Sequence, residues 1–535
     1  MTISYDPVKP SLVDSGVCMR CRDFFSDDSF GKWKNETVRH DFQKGCGMCH
    51  LVQSVSVEKE VGYPTNISPA KKIKLQHPMF RSIPIPTGVS VDGIRSDRIW
   101  SHSLPKDNKG IPVIAEVDVT KLQPELLWQS AEELVDFGRL RLLMQQCSER
   151  EAVQQQPKGM RLIHVPTRQI IHASPDMKYA ALSYVWGSVA GPMQFREELP
   201  ENVPRTIEDC LFASAQLNID YLWIDRYCIR QDDAEEKAAQ IHKMHEIYQN
   251  AYVTMFAVVG DGPDHGIPGI SRPRTFLPHA FMDGRLFVAI HNPRRVIRDS
   301  TWASRGWTYQ EDFLSTRKLF FLGNQVLFRC TRTERTAIEG PLRNPEPPRH
   351  TEYEVRPYDW NVAAQRFIAT QHMWDHIMEV NRRGFADEAD RINAILGIFG
   401  HLQVTGLISG HVYGIPVLSE FCENNDLALN IRNWKEGFLN GLLWCTGQEQ
   451  RGNPRRRRRQ FPSWTWAAWQ GVLGPRAQCR EDNIAVSLET SPDGQLFSSE
   501  QWAGAFQETS SLALGVRYIH LEAPAIELRL LELIK

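Results

Sequence analysis

A chain of 535 residues exceeds one ordinary hydrophobic core, so two or three domains are expected. With 42% hydrophobic and 24% charged residues the composition is globular, and a formal net charge of −2 offers no global field for nucleic acid or an anionic membrane. No apolar run reaches bilayer length and the N-terminal stretch MTISYDPVKPSLVDSG has no secretory pattern, so a cytoplasmic protein without a membrane partner is expected.

Residues 1–55 read as a small Cys-rich module. The chain has eleven cysteines, an odd number for a disulfide framework, and most stand alone, as reduced thiols packed like small hydrophobes do. Cys18-Met-Arg-Cys21 and Cys46-Gly-Met-Cys49 differ. Each CxxC pair aims two thiolates at one metal, and two pairs complete a closed tetrahedral site that is structural and not catalytic. The intervening segment is longer than the usual zinc-ribbon spacing; His40 and His50 are alternative ligands, and four reduced, half-buried cysteines are the plainer reading.

Residues 56–159 read as a connector and a helix. The first part, rich in Pro, Ser and Lys, suggests strands and loops packed on something else, or a partly ordered connector. Leu127, Leu134, Phe137, Leu140 and Leu143 give a helical pattern within 127–150.

Residues 160–330 are the best organised. A strand at 179–185 ends at Trp186-Gly187. A helix follows near 206–217, capped by Thr206 with Asp209 three positions on. Tyr221-Leu-Trp-Ile-Asp225 is an apolar run of the kind buried on both faces of a sheet. Asp232 or Asp233 caps a second helix, near 233–249, and a third strand runs over 253–258. This alternation predicts a parallel sheet whose ligand crevice lies at the carboxyl ends of its strands. Those ends carry Trp186, Gly187, Asp225 and Arg226, with Gln231 just beyond. The glycine-rich segment Gly260–Gly266 lacks a phosphate-loop lysine and reads as a loop overhanging the site. Residues 331–535 form a mixed α+β region with helices expected at 361–381 and 388–399. The run Arg455–Arg459 is a nuclear-import or nucleic-acid patch by composition, but its isolation favours a solvated loop, so nucleic acid is not an expected partner. No Walker loop, HExxH or GxSxG is present.

Three blocks, Ala181–Gly187, Leu222–Gln231 and Arg305–Glu311, resemble in order and spacing the signature blocks of the fungal heterokaryon-incompatibility (HET) domain. Arg161–Val165, Pro204–Ile207 and Gln240–Met244 also fit. Asp390–Asn393 and Phe461–Trp466 resemble segments that follow the domain, and the double CxxC is a common companion. His164 and Arg230 depart from the pattern, which usually has Asp at both positions. The resemblance implies a trigger or executor of regulated cell death in nonself recognition, working through self-association or another incompatibility protein. HET domains are also distantly similar to Toll/interleukin-1 receptor (TIR) domains, which implies a flavodoxin-like α/β core.

Some TIR domains cleave NAD with a glutamate near a Trp-x-x-x-Glu stretch, and Trp307-Thr-Tyr-Gln-Glu311 has that spacing. By this likeness Glu311 is the candidate catalytic carboxylate. Ser183, Trp186, Gly187, Asp225, Arg226, Gln231, Arg305 and Trp307 are candidate ligand residues, expected to gather near it, with NAD as substrate. Bland readings compete for each. The tryptophans serve as core aromatics, Gly187 ends a strand, Asp225 joins a buried ion pair, and Glu311 charges a helix start.

Overall fold

The computed structural model describes residues 16–24, 38–39, 45–55, 79–84, 90–91, 94–95, 98–102, 113–117, 134–147, 156–187, 194–275, 278–290, 293–333, 335–339, 366–419, 431, 433–446, 457–470, 473–475, 484–490, 496–498 and 516–522. The chain forms two compact units, and the division is not sequential. The first comprises residues 1–229, 251–302 and 316–357; the second comprises 230–250, 303–315 and 358–535.

At the centre of the first unit lie four parallel strands: β1 (Tyr179–Ser183), β2 (Tyr221–Trp223), β3 (Val253–Ala257) and β4 (Arg317–Phe321). Their spatial order is β2-β1-β3-β4, so β1 pairs in parallel with both β2 and β3, as the alternating pattern predicts. Every residue of β1, β3 and β4 is buried, including Arg317 and Lys318 at the start of β4, which breaks the apolar pattern the other strands show. The sheet is not purely parallel. Arg161–His164 and Ile170–His172 extend it antiparallel beyond β2, and Val326–Cys330 and Arg335–Glu339 do so beyond β4. At the β4 edge a short hairpin connection permits only an antiparallel neighbour; at the β2 edge the antiparallel partner comes from earlier in the chain.

Helix α1 (Arg205–Gln216) connects β1 to β2. Its start corrects the capping expectation: the N-cap is Pro204, without a side-chain cap. The Thr206 hydroxyl accepts the Gly266 N–H (3.1 Å), while Asp209 accepts the Ile267 N–H (2.5 Å) and the Ser271 hydroxyl (2.6 Å). Both side chains anchor the loop after β3. The price is a buried carboxylate, and burial pushes Asp209 above its ordinary range against those hydrogen bonds.

A second sheet of the same unit is antiparallel throughout. Its order is Val38–Arg39, Met79–Pro84, Arg98–His102, Val113–Val117, Arg285–Ile290, His279–Met282. Strands from before the parallel core thus pair with a hairpin inserted between β3 and β4. The helix Phe137–Gln145 buries Phe137, Leu140 and Leu143, with Asp136 as its N-cap, and Leu134 stands exposed before it. The rest of the 127–150 pattern, 127–133 and 148–150, lies outside the described residues.

The second unit is built on helices α3 (Ala234–Asn250), α4 (Gly306–Leu314), α5 (Arg366–Arg382) and α6 (Asp390–Val404). Asp233 caps α3 by accepting the Glu236 N–H at 2.9 Å. Its core gathers Trp374, Ile395, Ile398, Phe438 and Trp466, with Trp307 and Tyr309 packed against it.

Candidate functional site

In the first unit, Ser183, Phe256 and Phe320 are successive cross-strand partners on β1, β3 and β4. The two phenyl rings stack at 4.5 Å, and Trp302 meets both edge-on. Trp302 donates its indole N–H to the Ser183 hydroxyl at 2.8 Å, so Ser183 holds this buried ring in place. Trp302 had not been singled out from the sequence. Its position in Thr-Trp-Ala-Ser-Arg-Gly, just ahead of the third block, was the available signal.

Beyond Ser183 the chain leaves the sheet through Tyr184 and Val185, both buried, to half-buried Trp186. The Trp186 indole N–H reaches both carboxylate oxygens of Asp225, at 3.0 and 2.9 Å. Asp225 opens the short helix α2 (Asp225–Cys228) immediately after β2 and also accepts the Arg226 N–H at 2.7 Å. The ends of two adjacent strands are therefore locked by a charge-assisted hydrogen bond. Tyr184 lies in the same cluster. Burial first, then the Asp225 charge, push its phenol well above the ordinary value, while Arg226 opposes them, so the group remains a protonated donor.

Gly187 adopts φ +70°, and a Cβ there would meet Pro263 Cδ at 2.8 Å. Only glycine fits both the left-handed conformation and that approach. Pro263 also accepts the Thr206 N–H at 2.9 Å, and Asp261 accepts the Thr301 hydroxyl at 2.5 Å. The 260–271 loop thus lies against the turn that ends β1. A carboxylate, a guanidinium, a phenol and an indole share this strand-end cluster.

The third block belongs to the second unit, and each residue has a local task. A Cβ at Gly306 would lie 1.9 Å from Phe385 Cζ. Trp307 donates to Asp390 at 3.4 Å; burial raises the Asp390 carboxyl above its usual range despite that bond. The Thr308 hydroxyl donates to the Arg305 carbonyl (2.8 Å) and accepts from Arg383 (3.1 Å). Tyr309 meets His376 Nδ1 at 2.7 Å, and the Arg383 guanidinium lies over its ring. Glu311 is 5% exposed, and its carbonyl accepts the Ser315 hydroxyl at 2.7 Å. Gln231 is half-buried in the segment before α3, and Arg230 pairs with Asp232 at 3.3 Å.

Downstream segments brace this block. Arg391, 1% exposed, bonds Glu388 and the carbonyls of Val380, Asn381 and Arg383. Arg458 contradicts the solvated-loop expectation for its run. It pairs with Glu388 at 2.8 Å and donates to Asn381 Oδ1 and to the carbonyls of Ala467 and Trp469. Neighbouring Arg457 and Arg459 are exposed, and Arg455 and Arg456 lie outside the described residues.

The four cysteines converge. Their Sγ atoms all lie within 4.8 Å of one another, and Cys21, Cys46 and Cys49 are buried. Three separations are 3.8, 3.6 and 3.7 Å. A tetrahedron with metal–sulfur bonds of ~2.3 Å has S···S edges of about 3.8 Å, so these residues fit one soft metal ion. The N–H groups of Cys18 and Cys49 both donate to Cys46 Sγ at 3.3 Å. Burial opposes ionisation of Cys46, but these bonds leave it below its ordinary value, whereas burial pushes Cys21 far up. A bound cation reverses that penalty at Cys21. The cluster packs on Met282, Phe287 and Ala289 of the antiparallel sheet. His50 is exposed and outside the cluster, and His40 lies outside the described residues.

The first unit therefore defines an α/β protein with a mixed sheet, a polar cluster at its parallel strand ends and a four-thiol centre capable of holding a metal. The model of the family described as Heterokaryon incompatibility protein (HET) matches residues 179–311, so the chain carries a HET domain over that span. It is 23% identical over 393 residues to heterokaryon incompatibility protein 6, OR allele, of Neurospora crassa, covering 60% of this chain and 57% of that relative. No solved structure matches. Among the described residues, no helix is long and apolar enough to cross a membrane.

Proposed function

We propose that this chain is a cytoplasmic component of fungal nonself recognition that triggers regulated cell death when its HET domain is engaged, by self-association or by another incompatibility protein. The observation that carries the reading is the Trp186–Asp225 lock. It joins the first two signature blocks of the matched domain at the sheet's strand ends, where open α/β sheets bind ligands. The order β2-β1-β3-β4 supports a flavodoxin-like or TIR-like core. Zinc is the metal for the four thiols, since a closed tetrahedral tetrathiolate is its structural site. Induced expression of the full chain in otherwise compatible hyphae tests the proposal. Hyphal viability falls, and sustained growth at high expression contradicts it.

A second reading makes the domain an NAD-cleaving hydrolase with Glu311 as catalytic carboxylate. It draws on the same strand order, the order of folds that bind nucleotides at their strand ends. Cellular NAD separates the two. On the enzymatic reading NAD falls with the native chain and holds with Glu311→Gln; on the signalling reading both chains kill without early NAD loss.

A further inference from the structure

We propose that Cys147 and Cys330, in the first unit, are a peroxide-responsive thiol pair that closes into a reversible disulfide. Both are free and buried, and Cys147 Sγ lies 3.2 Å from the hydroxyl of Thr333, three residues beyond Cys330. The placement is built from both sides. Cys330 ends the strand Val326–Cys330, and its two cross-strand partners are Arg317 and Arg335. Arg317 donates to the Cys147 carbonyl at 3.3 Å, which fixes the turn after the helix Phe137–Gln145 beside Cys330. The Thr333 hydroxyl lies 3.2 Å from Cys147 Sγ, and Thr333 and Arg332 are exposed. The thiols thus sit directly beneath a surface turn, within reach of a small oxidant.

The roles of the two sulfurs differ. Burial opposes ionisation of Cys330, but the Thr333 hydroxyl and the N–H groups of Thr333 and Arg332 outweigh it and hold its pKa below the ordinary value. Burial pushes Cys147 up, so Cys147 stays a thiol. The Cys330 thiolate attacks hydrogen peroxide, the O–O bond breaks, hydroxide leaves and takes a proton, and Cys330 becomes a sulfenic acid. Cys147 then loses its proton and attacks the Cys330 sulfur, releasing a second water. The two thiols give up two electrons, and one peroxide becomes two waters. Cys210 and Cys228 lack this arrangement; burial pushes Cys210 well above its ordinary value and Cys228 to about 12.

The test treats the purified full chain, metal retained, with graded hydrogen peroxide, followed by alkylation and non-reducing peptide mapping. A Cys147–Cys330 linked peptide should appear while circular dichroism is unchanged, and dithiothreitol should remove it. Cys210 and Cys228 should remain alkylated. Cys147→Ser should yield a dimedone adduct on Cys330, and Cys330→Ser should leave Cys147 unmodified. The proposal is overturned if Cys147 and Cys330 stay free at doses that oxidise the four N-terminal cysteines, if the link forms only as the fold is lost, or if no adduct forms on Cys330.

Discussion

Acidification should destabilise the second unit through His411, by an amount the structure sets. His411 lies on the strand Ile408–Val412 with its ring tilted against Phe399, 9% exposed, and its Nδ1 has no hydrogen-bond partner. Burial lowers its pKa to about 4. The unfolded chain binds this proton near pH ~6.5, so between that value and 4 the unfolded state carries a proton the folded state refuses. The stability linked to His411 is complete above the unfolded pKa and drains as pH falls. A separation of about 2.5 units at ~1.4 kcal/mol each gives a full loss of about 3 kcal/mol, of which about 2 kcal/mol has gone by pH 5. His401, also lowered by burial, adds in the same direction, and the raised Asp390 opposes both. Thermal unfolding from pH 7.5 to 4.5, native chain against His411→Leu, isolates the term. The native midpoint should fall more steeply, and parallel pH profiles for the two chains would refute the reasoning.

Purified chain should carry about one zinc, and Cys18→Ser or Cys49→Ser should release it and loosen the packing against Phe287; elemental analysis without metal in folded protein would oppose this. Gly187→Ala should cost roughly 1–3 kcal/mol, since a Cβ is strained at φ +70° and presses on Pro263, and chemical denaturation would reveal the loss. An unchanged denaturation midpoint would contradict that account of the turn.

Legibility in the sequence followed how local each signal was. Three of the four parallel strands announced themselves as apolar runs, β4 with its Arg317-Lys318 start did not, and Asp233 was legible as a cap close to the helix it starts. The second sheet did not, because its strands at 79–117 and 279–290 find one another only across the intervening core, and no short-range pattern encodes such a pairing. Thr206 and Asp209 matched a capping spacing, yet their partners lie in the loop at 266–271, so local chemistry misled. Arg458 was hidden in a run whose composition says solvent; its partners, Glu388 and Asn381, are distant in sequence. At the candidate site, the residues ending adjacent strands were readable, because topology alone gathers Trp186, Gly187, Asp225 and Arg226. That the Trp186 indole is spent on Asp225, and that Pro263 fills the space above Gly187, required coordinates. The downstream blocks were recognisable as companions of the third block, but only the structure gives the reason: Asp390 receives Trp307, and Arg391 ties together the chain around it.

The most direct test of the central claim removes the strand-end lock and reads cell death. Asp225→Ala deletes the acceptor of the Trp186 indole and of the Arg226 N–H without altering a core side chain. Native chain and variant would be induced to equal levels in hyphae, with folding checked by thermal midpoint and metal content. The account predicts that the native chain collapses viability and that the folded variant does not. Full killing by a folded Asp225→Ala chain would contradict it.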